Sequence, residues 1–418
     1  MSIATRGPTG QGRVAVSWRR ALLAGLRVAL CLPVALAGGG LVAQASAAAA
    51  GTTEYVAAAG RTGAADTSCQ SAGFTSIQAA IGAAKPNATI VVCPGVYRTA
   101  VTVMKPVVLA GNSATIVATG KGAGVTVVAS GATVEGLTVT GAIGEGILAV
   151  GKPGQPVMRV TIRNNLVEGN DRGNPSGRPL KNSPYRECNA SGPVPGDCGE
   201  GIHLMVAAYS VVADNTVVGN AGGILLTDEF GPNDHNRIVG NRVLDNVFDC
   251  GITVASHSGA GFAAGRLEPA KGGIYDNTIE HNVVVGNGTV GQGAGVLLAS
   301  PLPGGAVYDN VVAFNTISGN GQSGVTVHSH VPGQDLNGNV MAHNTITTNN
   351  LAGDMDFAPH VDKVPTAIGV ATVAPLSITI KDNTLAGDTY GVWHTGPVSI
   401  AGLDTNTFAG IKTASATS

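Results

Sequence analysis

The stretch Asn236-Arg237-Ile238-Val239-Gly240-Asn241-Arg242-Val243-Leu244-Asp245-Asn246, closely followed by Gly251-Ile252-Thr253-Val254, decides the fold. Asn returns at every fifth position, and the residues between alternate in polarity over only three or four positions. Such segments are too short for hairpin strands, and they end in Asn or Gly, which tolerate the left-handed backbone of a sharp bend. The same spacing recurs at Asn277/Asn282/Asn287, Asn310/Asn315/Asn320 and Asn339/Asn344/Asn349. A second, independent column is formed by Gly-(Ile/Val) steps at Gly124, Gly146, Gly201, Gly223, Gly251, Gly295, Gly324, Gly369 and Gly391, spaced 22, 55, 22, 28, 44, 29, 45 and 22. The repeated spacing of 22 marks the unit, and the longer ones imply insertions or a doubled turn. Coils stacked about 4.8 Å apart would set each Asn above the next, so that their amides hydrogen-bond in a ladder while Ile, Val and Leu fill the bore.

Composition agrees. Gly occupies 61 of 418 positions, aromatics are 4% and charged residues 12%, as a narrow and crowded interior requires. At 44% hydrophobic the chain is not a disordered tail. It has 24 basic and 26 acidic residues and no Lys/Arg cluster beyond its first segment, which argues against nucleic acid as a partner. Residues 1–47 read as a secretory signal peptide: five arginines and no acid, the apolar run Val28 to Val42, then Ala45-Ser46-Ala47 with cleavage after Ala47. Pro33 and Gly38-Gly39-Gly40 interrupt the run, so no membrane span is expected. Arg19-Arg20 gives only a faint twin-arginine signal. Without that segment 19 basic residues face 26 acidic ones, so a uronate ligand would have to be held by local groups or by a cation. Disulfides Cys69–Cys93 and Cys188–Cys198 suit an oxidising compartment, and Cys250 reads as a buried small hydrophobe.

The entrance is also legible. Thr75-Ser76-Ile77-Gln78 has capping-box spacing, and Ile77, Ala80, Ile81 and Ala84 share one helical face. A strand Thr89 to Cys93 and the turn Pro94-Gly95 follow, so the helix would cover the open end of the coil, stapled by Cys69–Cys93. The run Phe74 to Ile81, with Ala88 to Tyr97, resembles the entry segment of right-handed parallel β-helix proteins of the pectin-lyase-like superfamily. The later coils resemble repeats shared by carbohydrate-binding proteins and sugar hydrolases, including NosD-type periplasmic proteins. The resemblance implies an all-β right-handed parallel β-helix with an N-terminal capping helix over 74–410, after a linker 48–73 and before a tail 411–418. It implies no single activity, because that superfamily holds pectate lyases, polygalacturonases, uronan epimerases, tailspikes and adhesins.

The chemistry therefore has to come from the columns. Counting from each anchor Gly, positions +1 and +3 are apolar and face inward, +2 and +4 face outward, and +5 and +6 lie where strand gives way to turn. Outward and turn positions hold His203 (+2), Asp228 (+5), Glu229 (+6), His257 (+6), His328 (+4) and His330 (+6). With one coil per anchor, Glu229 would lie about 5 Å from His257, and His330 about 10 Å from it. Asp228 or Glu229 with His257 could take the acidic proton beside a uronate carboxylate while a second His protonates the leaving oxygen, as in a lyase or epimerase. Two carboxylates, with Asp249 or Asp234 as the second, would instead serve a hydrolase. The same groups could bind Zn or Cu, or the acids alone Ca or another divalent metal. Equally, Asp228, Ser256, Ser300 and Ser329 at +5 could simply bond turn amides.

No family set transfers whole. The Asn-Thr-Asp and Gly-His-Gly steps of polygalacturonases do not occur, Asn233-Asp234-His235 only echoes the Asp-Pro-His-Asp of epimerases, and neither Arg237 nor Arg242 matches a lyase base. Insertions Asp171 to Gly199, Ser258 to Lys271 and Glu229 to His235 flank the polar columns, where clefts form. Arg178, Tyr185 and Arg186, with Asp234, His235 and His203, would meet the ligand, and Trp393-His394 reads as a C-terminal cap. The expectation is a secreted monomer that binds or modifies an extracellular polysaccharide, with a structural envelope role or NosD-like metal-site assembly as the alternatives.

Overall fold

The computed structural model describes residues 51–58, 65–170, 199–258, 262–263, 266–267, 272–290, 293–351 and 366–417. The segment 1–47, Arg178, Tyr185, Arg186, the pair Cys188–Cys198 and most of the Ser258 to Lys271 insertion lie outside them.

Short parallel strands wind into one coil after another. Eleven of them form a sheet whose neighbours are successive coils, including Ile147–Val150, Glu200–Met205, Gly222–Thr227, Ile252–Ala255, Val296–Ser300, Val325–Ser329 and Thr366–Ala371. A 21-stranded sheet carries two parallel rows that fuse near the N-terminus, where Val108–Val117 and Thr133–Thr140 run through both. A third sheet has five two-residue strands, among them Ala207–Ala208, Asn233–Asp234 and Ile274–Tyr275. The expected right-handed parallel β-helix is present. Ile202, Ile224, Ile252, Val296 and Val325 stack in register at +1, all fully buried, and belong to one continuous core. Each such side chain contributes about 1.5–3 kcal/mol by leaving water.

Every anchor is one coil, so there is no doubled turn; the long spacings are insertions. One anchor is corrected. Val325 pairs with Ile368, which puts Ala367, not Gly369, in the glycine column, and Gly369 opposite Thr326. The column favours glycine because backbones approach closely there. A Cβ on Gly251 would run into Val284 Cγ1, meet the Gly295 carbonyl at 2.7 Å and meet Asn287 Nδ2 at 2.8 Å.

The Asn ladders form as expected. One runs Asn165, Asn215, Asn241, Asn282, Asn315, Asn344, Asn383, Asn406, each Nδ2 donating to the next Oδ1 at 2.8–3.0 Å. A second runs from Asn170 through Asn220, Asn246, Asn287 and Asn320 to Asn349, and a third from Asn236 through Asn277 and Asn310 to Asn339. Their bends are placed differently from expectation. The left-handed residue is the one before the ladder Asn at every rung but the last, Asn406: Gly240, Asp276, His281, Asp309, Phe314 and His343, for example, all have positive φ. The ladder Asn supplies the bond that holds the bend, not the bend itself.

The N-terminal helix spans Ile77–Ala83 and buries Ile77, Ala80 and Ile81. The capping box does not form. Ser76 Oγ accepts from Ala79 N at 3.3 Å, while Gln78 pairs with the Thr102 backbone through Nε2 and Oε1 and so continues the coil's hydrogen bonding. Lys105 Nζ donates to the carbonyls of Gly82 and Ala84 at the other end. Cys69 and Cys93 are disulfide-bonded. The stretch 48–73 is not merely a linker, because Thr53–Val56 pairs with Thr89–Val92; likewise Thr413–Thr417 pairs with Tyr390–Thr395, so the coil extends into the expected tail. Among the described residues no helix is long and apolar enough to cross a membrane.

Candidate functional site

A groove of ≈ 240 Å³ runs over the outer face of the eleven-stranded sheet, with Asp249 and Glu200 towards one end of the strands and His257, His328 and His330 towards the other. Its floor is formed by the outward residues Leu225, Thr253, Ala255, Leu297 and Ala299. Strand pairing brings these residues together across three successive coils.

His257 follows strand Ile252–Ala255 and faces Glu229 of the preceding coil, with Nδ1 at 3.1 Å from Oε1. Thr227 Oγ1 donates to the other oxygen at 2.6 Å. Burial alone would raise the Glu229 carboxyl; above all the His257 hydrogen bond and charge, helped by the Thr227 hydroxyl, outweigh it and hold the group at about 2. Glu229 is therefore an ionised acceptor, His257 Nδ1 carries the hydrogen, and proton exchange with a substrate falls to Nε2.

Asp228 has a different task. It accepts from Ser256 Oγ, His257 N, Ser258 N, Ser258 Oγ and Gly273 N, at 2.6–3.0 Å. Burial pushes its carboxyl up and these donors offset part of the rise. It fixes the turn that carries His257, which is the turn-bonding reading of position +5; Ser300 Oγ, donating to the Ser256 and Leu302 carbonyls, and Ser329 Oγ, accepting from Val373 N, act alike. His328 and His330 meet through their Nε2 atoms at 3.2 Å. Burial first, and then the His330 charge, hold His328 down at about 3, so it is neutral.

Of the remaining expected residues that the structure describes, Asp249 lines the groove and His203, Asp234 and His235 do not. His203 is 2% exposed and so is not a surface contact for a ligand; its Nε2 lies 2.7 Å from Thr227 Oγ1. Asp234 and His235 sit at the five-stranded sheet, bonded to each other at 2.7 Å, with His235 stacked on Tyr209 at 4.6 Å. Asp249 lines the groove at the far end of strand Ile252–Ala255 and accepts from Cys250 N at 2.6 Å. That strand spans about 13 Å, more than the roughly 5–9.5 Å between the carboxyls of a glycosidase pair. Cys250 is buried, as expected, and burial drives its thiol pKa well up.

Sequence reasoning missed Thr227, which links His203 to Glu229, and the acids Glu145 and Glu200, which stand immediately before the anchors Gly146 and Gly201 and approach His203. The signal was present: acids at the same offset in successive coils. Glu145, Glu200 and His203 are the one group among the described residues whose His and carboxylate atoms lie close enough together to hold a metal.

Residues 113–300 match the family described as right handed beta helix region. No curated protein matches the sequence. Among solved structures, the alginate lyase from Paenibacillus sp. str. FPU-7 is similar with a TM-score of 0.50 at 16% identity, over 77% of this chain and 96% of that one. The GH136 lacto-N-biosidase from Eubacterium ramulus gives 0.49 at 12%, over 86% and 68%. A mannuronan C-5 epimerase A-module from Azotobacter vinelandii gives 0.36 at 16%, over 81% and 92%. At these identities the alginate lyase likeness bears on the fold alone.

Proposed function

We propose that this chain, a right-handed parallel β-helix protein of the pectin-lyase-like fold, acts on an extracellular polysaccharide in the groove above its eleven-stranded sheet, by proton transfer at a uronate unit. The observation that carries this is the Glu229–His257 pair: a carboxylate held ionised against one ring nitrogen makes the other a base. His257 Nε2 takes the proton from the carbon beside the uronate carboxylate. The electron pair left behind either forms the double bond as the glycosidic C–O bond breaks, the leaving oxygen taking a proton from the His328–His330 pair, or is reprotonated from the other face.

Hydrolysis by two carboxylates is less well supported. Glu229 is committed to His257 and Thr227, Asp228 to its turn, and Asp249 stands at the far end of the strand. Export through the 1–47 segment and action as a monomer outside the cell complete the proposal; the Cys69–Cys93 disulfide suits that compartment. An alginate lyase among the structural neighbours is in keeping with it.

Incubation with a panel of uronate and neutral polysaccharides tests the reading, with unsaturated product read by ultraviolet absorbance, epimerised product by NMR and reducing ends by colorimetry. Proton-transfer product from a uronan, lost in His257→Ala, is expected. Reducing ends without unsaturation would favour a hydrolase, and retention on a glycan column without turnover would favour a binding module; either contradicts the proposal.

A further inference from the structure

At the N-terminal end of the groove, on two successive coils, Glu145, Glu200 and His203 are 1, 3 and 2% exposed. Each offers one ligand atom, and these atoms lie within 4.8 Å of one another. Thr227 Oγ1 has a single hydrogen and gives it to Glu229 Oε2 at 2.6 Å, so at 2.7 Å it accepts from His203 Nε2. In the neutral ring Nδ1 then bears a lone pair, and it lies 3.4 Å from Glu145 Oε1. The second oxygen of that carboxylate, Oε2, is buried without any hydrogen-bond partner. A buried carboxylate with one oxygen unpaired and the other facing a lone pair is costly unless a cation stands among them.

We propose that Glu145, Glu200 and His203 Nδ1 form a binding site for a divalent transition metal of the zinc class. A tetrahedral ion with bonds of about 2.0–2.2 Å sets neighbouring ligand atoms roughly 3.3–3.6 Å apart. The His203–Glu145 separation of 3.4 Å falls in that interval. An imidazole with two carboxylates suits zinc, whereas calcium wants six to eight oxygens. His203 also shows the usual companion of a metal-binding imidazole, its other ring N–H donated to a fixed oxygen, here Thr227 Oγ1. Through Thr227 the site is bonded to Glu229 and thence to His257. The inference does not depend on which reaction the groove carries out.

The test uses the full chain, stripped with a chelator and titrated with zinc against a chromophoric competitor, with elemental analysis after dialysis. One equivalent of zinc per chain is expected, with cobalt giving the visible absorption of a four-coordinate site. Affinity should fall about 100-fold or more in Glu145→Gln and His203→Gln, about tenfold in Thr227→Val, and not at all in His343→Ala, which removes an exposed histidine. Should the ligand variants fail to fold, the wild-type chain still decides: its melting temperature rises with zinc and falls back with chelator. No stoichiometric zinc and no thermal shift, preference for calcium, or full retention of zinc by the folded ligand variants would each overturn the site.

Discussion

The ladder turns and the outer face of the eleven-stranded sheet are built from the same coils by opposite rules. Along the ladders one residue type repeats, so each Asn donates to the next and the column needs nothing from outside. Along the sheet face position +2 reads Leu148, His203, Leu225, Thr253, Leu297, Thr326, Gly369 and Trp393, a column held by no single residue type, in which no residue is followed by its own kind. There the bonds run diagonally between unlike residues, from His203 through Thr227 and Glu229 to His257. Repetition specifies the solenoid; departure from repetition at a few coils concentrates the chemistry.

The contrast is broken most severely on the sheet face. His257→Ala should lower turnover about 10²–10⁴-fold with circular dichroism unchanged, and Glu229→Gln should move the acid limb of the pH profile to lower pH, since the imidazolium loses its carboxylate partner. Glu229 itself, lowered from 4.5 to about 2, contributes stability that is complete above pH 4.5 and lost as pH falls through about 2. Asp228→Ala should cost about 3–5 kcal/mol in chemical denaturation, because the donors gathered on its carboxylate lose their acceptor together. A single rung is worth less: Asn282→Ala should cost about 1–3 kcal/mol.

The smallest effect is a gain. The second ladder ends at Asp388, whose Oδ1 accepts from Asn349 N at 2.6 Å while its Oδ2 and Asn349 Nδ2 are buried without partners. Burial raises the Asp388 carboxyl from 3.8 to about 6, so the folded chain holds the proton more tightly than the unfolded one. The stability this contributes is present below pH 3.8 and lost as pH rises through about 6. Asp388→Asn should therefore stabilise by about 1–2 kcal/mol above pH 6 and by nothing below 3.8, read by denaturation at the two pH values.

The repeating half of the molecule was legible because its physics is periodic: the Asn spacing predicted ladders, and the Gly column predicted the register until Ala367 took the glycine's place. Bends were misassigned because a ladder Asn and the left-handed residue before it are adjacent, and spacing alone does not separate them. On the site face, the +6 column brought Glu229 to His257. It also suggested Asp228 as an acid–base group, whereas five turn donors occupy it, and His203 as a ligand contact, although it is buried. Burial depends on what lies over the sheet, and strand periodicity does not encode that.

Whether His257 moves a proton at the carbon beside a uronate carboxylate decides between proton transfer and hydrolysis in the groove. Incubating wild-type protein with a uronan in heavy water and reading that position by NMR or mass spectrometry tests this directly. Deuterium incorporated at that carbon, or its loss to a double bond, in wild type and absent in His257→Ala is the predicted result; reducing ends released with that position untouched would contradict it.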